Sequence, residues 1–355
     1  MESCVLSMKK LSFVIPCYRS EHSIKAVVDE VIATVEKDGR FDYEIICIND
    51  HSPDNTLKVL MELAANPKIK VIDLMKNFGQ HSALMAGYNC VSGDYVVSLD
   101  DDGQNPPSEM FRLIDKLIDG GYDWVSARYP EKKHNWFRRL GSKLSFLMSH
   151  VLIGKPNDID INSYCVIRRE VAEEIVKYKN AYPFVHGLML RVTRNIANVD
   201  IDHQERAEGK SGYSLSKLVG LLMNGFTAFS VKPLRLASLL GAITALIGFA
   251  YGLFVVIRRI LTPSMVMGYS SLMAALMFIG GMIMLLLGLL GEYIGRIYIC
   301  LNNAPQFVIR SMTNMSEDNL NVMRMSMGET PEVLRNQVVA VEEDKDGQRV
   351  ISHVR

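Results

Sequence analysis

A chain of 355 residues that is 48% hydrophobic has room for one large or two modest domains and is more apolar than a wholly soluble protein needs. Lysine plus arginine and aspartate plus glutamate number 39 each, so no global basic field directs the molecule to nucleic acid, and any charged partner must be met locally. The six cysteines are scattered, with no C-x-x-C pair and no Cys/His cluster at zinc spacing, which suits free thiols in a reducing compartment. The opening MESCVLSMKK lacks the apolar core and small-residue cleavage site of a signal peptide, so the first part of the chain is expected to stay in the cytoplasm.

From about residue 10 to 125, short apolar, β-branched runs alternate with longer helical patterns, the signature of a parallel α/β sheet. The runs are LSFVIP (11–16), YEIICI (43–48), IKVIDL (69–74), YVVSL (95–99) and DWVSA (123–127). Between them, SIKAVVDEVIATVEK, NTLKVLMELAA, HSALMAGYNCV and PSEMFRLIDKLID place apolar residues at i, i+3, i+4 spacing. Pro106 and Pro107 open the last of these helices, where a missing N–H costs least.

Further on, WFRRLGSKLSFLMSHVLIGK (136–155) is basic and apolar together, which fits either a helix on an anionic membrane surface or a packed helix with a solvated basic face. Residues 236–257 carry no charge, and a second uncharged run extends from Ile260 to Gly291; both exceed what a ~30 Å hydrocarbon core requires. The chain therefore divides into a cytoplasmic domain (1–212), an interfacial amphipathic helix (213–234) and a membrane domain (235–298) with spans near 235–257 and 269–291. A cytoplasmic tail (299–355) follows, expected to be largely disordered after 311.

In sheets of this class ligands sit beyond the carboxyl ends of the strands, which here carry Pro16-Cys17-Tyr18, Asn49-Asp50-His51 and Asp100-Asp101-Asp102. Continuing the YVVSL strand places Asp100 and Asp102 on one face and Asp101 on the other. Two carboxylates so placed suit Mg²⁺ or Mn²⁺ with positions left open for diphosphate oxygens. No G-x-G-x-x-G follows the first strand and no G-x-x-x-x-G-K-[ST] occurs anywhere, so the two commonest phosphate-loop readings have no support.

The segments VIPCYRSE (14–21), INDHSPDNT (48–56), NFGQHSALMAGY (77–88), GDYVVSLDDDGQNPP (93–107) and GKSGYSLSKL (209–218) together resemble glycosyltransferase family 2. SVKPLR (230–235) and LLGEYIGRIY (289–298) resemble its polyprenyl-phosphate sugar transferase branch. The resemblance runs from about residue 10 to 310 and implies a GT-A, Rossmann-like nucleotide-diphospho-sugar transferase domain followed by two C-terminal transmembrane helices. By the same likeness Pro16, Tyr18, Glu21, Asn77, Gln80, Asp101 and Gln104 would line the nucleotide-sugar pocket, Asp50 would bond the uracil, and Asp100 and Asp102 would be the catalytic and metal-binding acids. His81 reads as a capping or packing residue rather than a base. Arg206, Ser211 and Tyr213 of RAEGKSGY, with Arg169, would meet phosphate, and Asp158 or Asp160 could assist as a base.

The reaction so implied is inverting, metal-dependent transfer from a UDP-sugar to undecaprenyl phosphate at the bilayer of a bacterial cytoplasmic membrane. A homo-oligomer, a tetramer in relatives, is implied too. Several positions depart from the pattern: Asp101 stands where an apolar residue or Ala is usual, Gly103 replaces Leu, His51 follows Asp50 where Gly is common, and Tyr164 and Cys165 replace Phe-Arg. A processive polysaccharide synthase shares the acids but carries a Gln-x-x-Arg-Trp element, and the only tryptophans here are Trp124 and Trp136. A membrane-tethered nucleotide-sugar binder is the non-catalytic alternative.

Overall fold

The computed structural model describes residues 8–129, 158–201, 232–261, 269–301, 305–315, 339–343 and 349–353. These fall into two compact units, one of residues 1–212 with 305–355 and the other of residues 213–304.

The five expected strands form as β1 (Lys10–Cys17), β2 (Asp42–Asn49), β3 (Ile69–Leu74), β4 (Tyr95–Ser98) and β5 (Trp124–Arg128). The four expected helices form between them as α1 (Ile24–Asp38), α2 (Thr56–Leu63), α3 (Gln80–Tyr88) and α4 (Met110–Asp119), the last entered through a 3₁₀ turn at Pro107–Glu109. β1 and β2 are buried at every position after the first, which is why their sequences read as continuous apolar runs rather than alternating ones. Helix α1 sinks Ile24, Val27, Val28, Val31 and Val35 into that core and stops at Gly39, whose φ of 70° lets its N–H return to the Val35 carbonyl. Helix α3 lies so close to the sheet that a Cβ at Gly87 would come within 2.5 Å of the Val14 side chain.

The sheet is mixed rather than all parallel. Its order is β7-β5-β6-β4-β1-β2-β3-β8, with three strands absent from the sequence reading: β6 (Cys165–Arg168), β7 (Ile196–Asp200) and β8 (Ile309–Thr313). β1 runs parallel to β2 and β4, whereas β6 lies antiparallel between β4 and β5, and β8 antiparallel along β3. Two short helices, α5 (Arg169–Ile175) and α6 (Val185–Val192), connect β6 to β7.

β8 adds to the expected division: the tail expected from 299, largely disordered after 311, opens with a strand that completes the sheet of the first unit. Asn314 fixes the end of this strand through its Nδ2, which donates to the carbonyls of Ala64 at 2.7 Å and Ile69 at 2.9 Å. Farther along, β9 (Val339–Glu343) and β10 (Arg349–His353) pair antiparallel, so order also exists after 311.

The second unit holds α7 (Lys232–Leu261) and α8 (Tyr269–Leu301). Each contains an 18-residue window, Ala237–Phe254 and Phe278–Gly295, of mean hydropathy 1.8, long and apolar enough to cross a membrane. Both helices extend past the spans expected at 235–257 and 269–291. The basic helix expected at 136–155, and the interfacial helix at 213–234 up to residue 231, lie outside the described residues.

Candidate active site

The carboxyl ends of β1, β2 and β4 converge on one edge of the sheet, because these three strands are parallel neighbours in the order β4-β1-β2. β4 stops at Ser98, and residues 101–103 turn, with Gly103 at φ 73°. The alternation expected across Asp100–Asp102 therefore does not apply, since these residues are no longer strand. What each acid faces is decided by its own partners.

Asp100 is held from three directions. Its Oδ1 accepts from Gln80 Nε2 at 2.8 Å, and its Oδ2 from Ser163 Oγ at 2.5 Å and Asn105 Nδ2 at 3.2 Å. Asn105 is fixed in turn by Tyr129, whose hydroxyl donates to Asn105 Oδ1 at 2.6 Å. Burial raises the Asp100 pKa, the neighbouring Asp102 charge adds to the rise, and the Ser163, Asn105 and Gln80 bonds oppose it. Asp102, part-exposed beside it, accepts the backbone N–H of Gln104 at 3.1 Å.

Asp101 has a task of its own. Its Oδ2 accepts the backbone N–H of Tyr18 at 2.9 Å and its carbonyl accepts Ser23 Oγ at 2.6 Å, so it ties the loop after β1 to the turn after β4. Burial pushes its carboxyl up to about 6, with the charges of Asp100 and Asp102 contributing. The middle acid is thus a structural clasp between two site loops rather than a bystander.

Asp50, 3% exposed, accepts the backbone N–H groups of Phe78 at 2.7 Å and Gly79 at 2.8 Å. Among the described residues these bonds leave one lone pair on each oxygen for a ligand donor. Burial raises its pKa against those two bonds. His51, standing where glycine is common, adopts φ 52°, the left-handed conformation that such a glycine supplies, and histidine is among the residues that tolerate it. Left-handed Arg19 mirrors it across the site, with its N–H donating to Ser52 Oγ at 2.7 Å.

Of the other expected residues, Pro16 ends in the buried part of β1 while Tyr18 is exposed at the rim. Glu21 braces the neighbouring loop, its Oε2 accepting from Asn55 N at 3.0 Å and Asn55 Nδ2 at 2.9 Å. Asn77 is exposed on the loop that leads to Gln80, and Gln104 is part-buried. His81 is part-buried next to Gln80, and its ring lies 5.0 Å from that of Phe184, a packing contact; burial lowers its pKa to about 4. Asp158 and Asp160 are exposed, and the Asp160 backbone is paired with the Asn198 side chain.

Arg169 is not brought to the acids. Because β6 runs antiparallel to β4, with Tyr95 opposite Arg168 and Ser98 opposite Cys165, Arg169 emerges at the far edge of the sheet. There it pairs with Glu173 and donates to the Ser92 carbonyl. Arg206, Ser211 and Tyr213 lie outside the described residues.

The sequence reading missed Ser163, Asn105 and Tyr129, which orient Asp100. Asn105 was within reach of it, adjacent to the turn; Ser163 sits in a segment without periodicity. Tyr164 and Cys165, the departures from the family pattern, are buried, with the Tyr164 hydroxyl donating to the Pro106 carbonyl at 3.0 Å.

Among the described residues no group of three or more His, Cys, Asp and Glu forms a metal cluster. The donor set still suits Mg²⁺ or Mn²⁺ of the kind held by one or two carboxylates and completed by phosphate oxygens. Asp100 and Asp102 are the carboxylates that would hold it, and the charge of Asp102, which adds to the rise in the Asp100 pKa, is what a cation would offset.

Glycosyl transferase family 2 matches residues 12–176 of this chain, and the GtrB C-terminal hairpin matches residues 232–297. The undecaprenyl-phosphate 4-deoxy-4-formamido-L-arabinose transferase of Serratia proteamaculans is 36% identical over 318 residues, 87% of this chain and 96% of that protein. The protein of the same name from Photorhabdus laumondii is 33% identical over 322 residues, 88% and 97% of the two chains. Among solved structures, glucosyl-3-phosphoglycerate synthase from Mycobacterium tuberculosis with Mn²⁺ and UDP-glucose is 20% identical with a TM-score of 0.48, covering 61% of this chain and 76% of that one.

Proposed function

The chain belongs to glycosyl transferase family 2 and is a glycosyltransferase, and from that premise we propose that it transfers a sugar from a UDP-sugar to undecaprenyl phosphate. The observation that carries the reading is Asp100, locked by three neutral donors beside Asp102 at the sheet edge where Asp50 also opens. Neutral donors orient a carboxylate without cancelling its charge, which suits a site for a cation and diphosphate. The acceptor follows from the relatives' names and from their coverage of nearly the whole chain, hairpin included.

Asp50 has a free lone pair on each oxygen for a uracil N–H, and exposed Tyr18 stands at the rim for the nucleotide. Asp100 and Asp102 would hold Mg²⁺ or Mn²⁺, which when bound supplies the positive charge that stabilises departing UDP. A lipid phosphate is already largely ionised near pH 7, its second pKa being about 6, so the chain need not provide a strong base. Its attack on the anomeric carbon forms the new C–O bond as the bond to UDP breaks, in one inverting displacement. The protein's part is positioning and charge. The helices α7 and α8, long and apolar enough to cross a membrane, support a membrane location for this chemistry, and its cytoplasmic face is part of the proposal.

The test is to incubate the full chain in detergent with undecaprenyl phosphate, Mg²⁺ or Mn²⁺ and a panel of UDP-sugars, and to read lipid products by mass spectrometry. A lipid phosphate bearing one sugar is expected. A polymer would favour a processive synthase, and no product from any donor would leave a binding protein.

A further inference from the structure

β8 meets β3 so that Ile309 pairs with Leu74 at the carboxyl edge, while Thr313 pairs with Val71 toward the other. That register brings Arg310 to the site end of the sheet. Its Nε lies 3.3 Å from Asp73 Oδ2, and its Nη2 donates to the Met75 carbonyl at 3.2 Å and lies 3.4 Å from His51 Nδ1. The other oxygen of Asp73 accepts Asn49 Nδ2 at 2.6 Å, one residue before Asp50. A single guanidinium therefore joins the end of β3, the first residue of the following loop and the left-handed residue after Asp50.

That loop, Met75 to Gln80, supplies both N–H groups that hold Asp50 and the amide that holds Asp100. We propose that Arg310, carried on the strand after the two apolar helices, is a positioning residue that latches this loop and so sets the donor-nucleotide end of the site. The Arg310 side chain is 52% exposed, so its Coulomb attraction to Asp73 is screened and its contribution is the three-way geometry. A lysine, a point charge without the planar fork, cannot reproduce it. The nucleotide part of this inference rests on the reading of Asp50 given above.

The full chain in detergent is compared with R310A, R310K and N314A. The last loosens the far end of the same strand, where Asn314 bonds the Ala64 and Ile69 carbonyls. Amide hydrogen exchange at Phe78 and Gly79 reads the latch without substrate, and calorimetry reads UDP affinity. In R310A and R310K both amides are expected to exchange about tenfold faster and UDP to bind about tenfold more weakly, the size typical of losing a partner that orients a ligand group. The donor KM should rise by more than kcat falls, and N314A should alter neither exchange nor UDP binding. Unchanged exchange in R310A, or equal acceleration in N314A, overturns the latch. Exchange that depends on Arg310 in a chain that binds no UDP supports the latch and overturns the donor reading of Asp50.

Discussion

The two edges of the main sheet both bury acids and treat them in opposite ways. At the amino edge, Glu44 of β2 is 1% exposed and receives Lys10 Nζ at 2.9 Å, Lys70 Nζ at 2.8 Å, Ser12 Oγ at 2.5 Å and the Ser92 N–H at 2.7 Å. Burial alone would raise its pKa, yet the Lys70 charge and these bonds carry it down to about 2. At the carboxyl edge, the donors that the described residues bring to Asp50, Asp100 and Asp101 are neutral amides and hydroxyls. There burial wins and all three pKa values rise. An acid ringed by cations is complete as a structural element, whereas Asp50 and Asp100, oriented by neutral groups alone, carry a charge that nothing in their own donor set offsets.

The sharpest way to break this contrast is to exchange the consequences. Glu44→Gln should lower stability by about 3–5 kcal/mol by leaving Lys70 buried without its counter-charge, with activity per folded molecule retained. Thermal melts alongside kcat/KM decide it, and lost activity at an unchanged Tm would show that the amino edge is functional. Asp102→Asn should do the reverse, lowering kcat on the order of 10²–10³-fold with Tm preserved. Retained turnover would remove Asp102 from the site.

Smaller effects separate the acids within the carboxyl edge. Asp101→Ala leaves the Tyr18 N–H without its acceptor and should destabilise by about 1–3 kcal/mol, while Asp101→Asn keeps an acceptor oxygen and should not. Equal losses in the two variants would show that the charge, not the clasp, is needed. The pH dependence is the finest test. Asp101 has a folded pKa of about 6, above its unfolded ~3.9, so its ionisation opposes folding; the penalty is absent below ~3.9 and complete above about 6. Glu44 is the opposite case: its contribution is full above ~4.3 and is lost as pH falls toward about 2. Lowering pH from 7 to 5 should therefore raise Tm in the parent by a few degrees and by less in Asp101→Asn, where only the raised Asp50 and Asp100 remain, and the fall below pH 4 should be blunted in Glu44→Gln.

The parallel half of the fold was legible because its strands are short, mostly apolar and β-branched runs, separated by segments of helical length. β6 was not: CVIR is four residues long and runs straight into a helix, leaving no turn to announce a reversal of direction. That single antiparallel strand also carries Arg169, named from the family pattern as a phosphate contact, to the edge of the sheet away from the acids. In the site, Asp50 and Asp100 were marked by position at strand ends, and the glycine-like role of His51 was foreshadowed by the family pattern. The clasp made by Asp101 was missed because alternation was extended to Asp102, four residues beyond the end of β4 at Ser98. Ser163 and Arg310 carry no local signal, since each acts across a chain separation that only the folded sheet closes.

β8 has a temporal meaning as well. Arg310 and the Met75 carbonyl it bonds are 235 positions apart, so β3 emerges from the ribosome long before its edge partner exists. At roughly 5–20 residues per second, the edge of β3 stays uncovered for about 10–50 s. During that interval both apolar helices are synthesised and an open strand edge is exposed to other nascent chains. The order of synthesis thus makes closure of the catalytic sheet a late event, one that comes only after the apolar hairpin has left the ribosome.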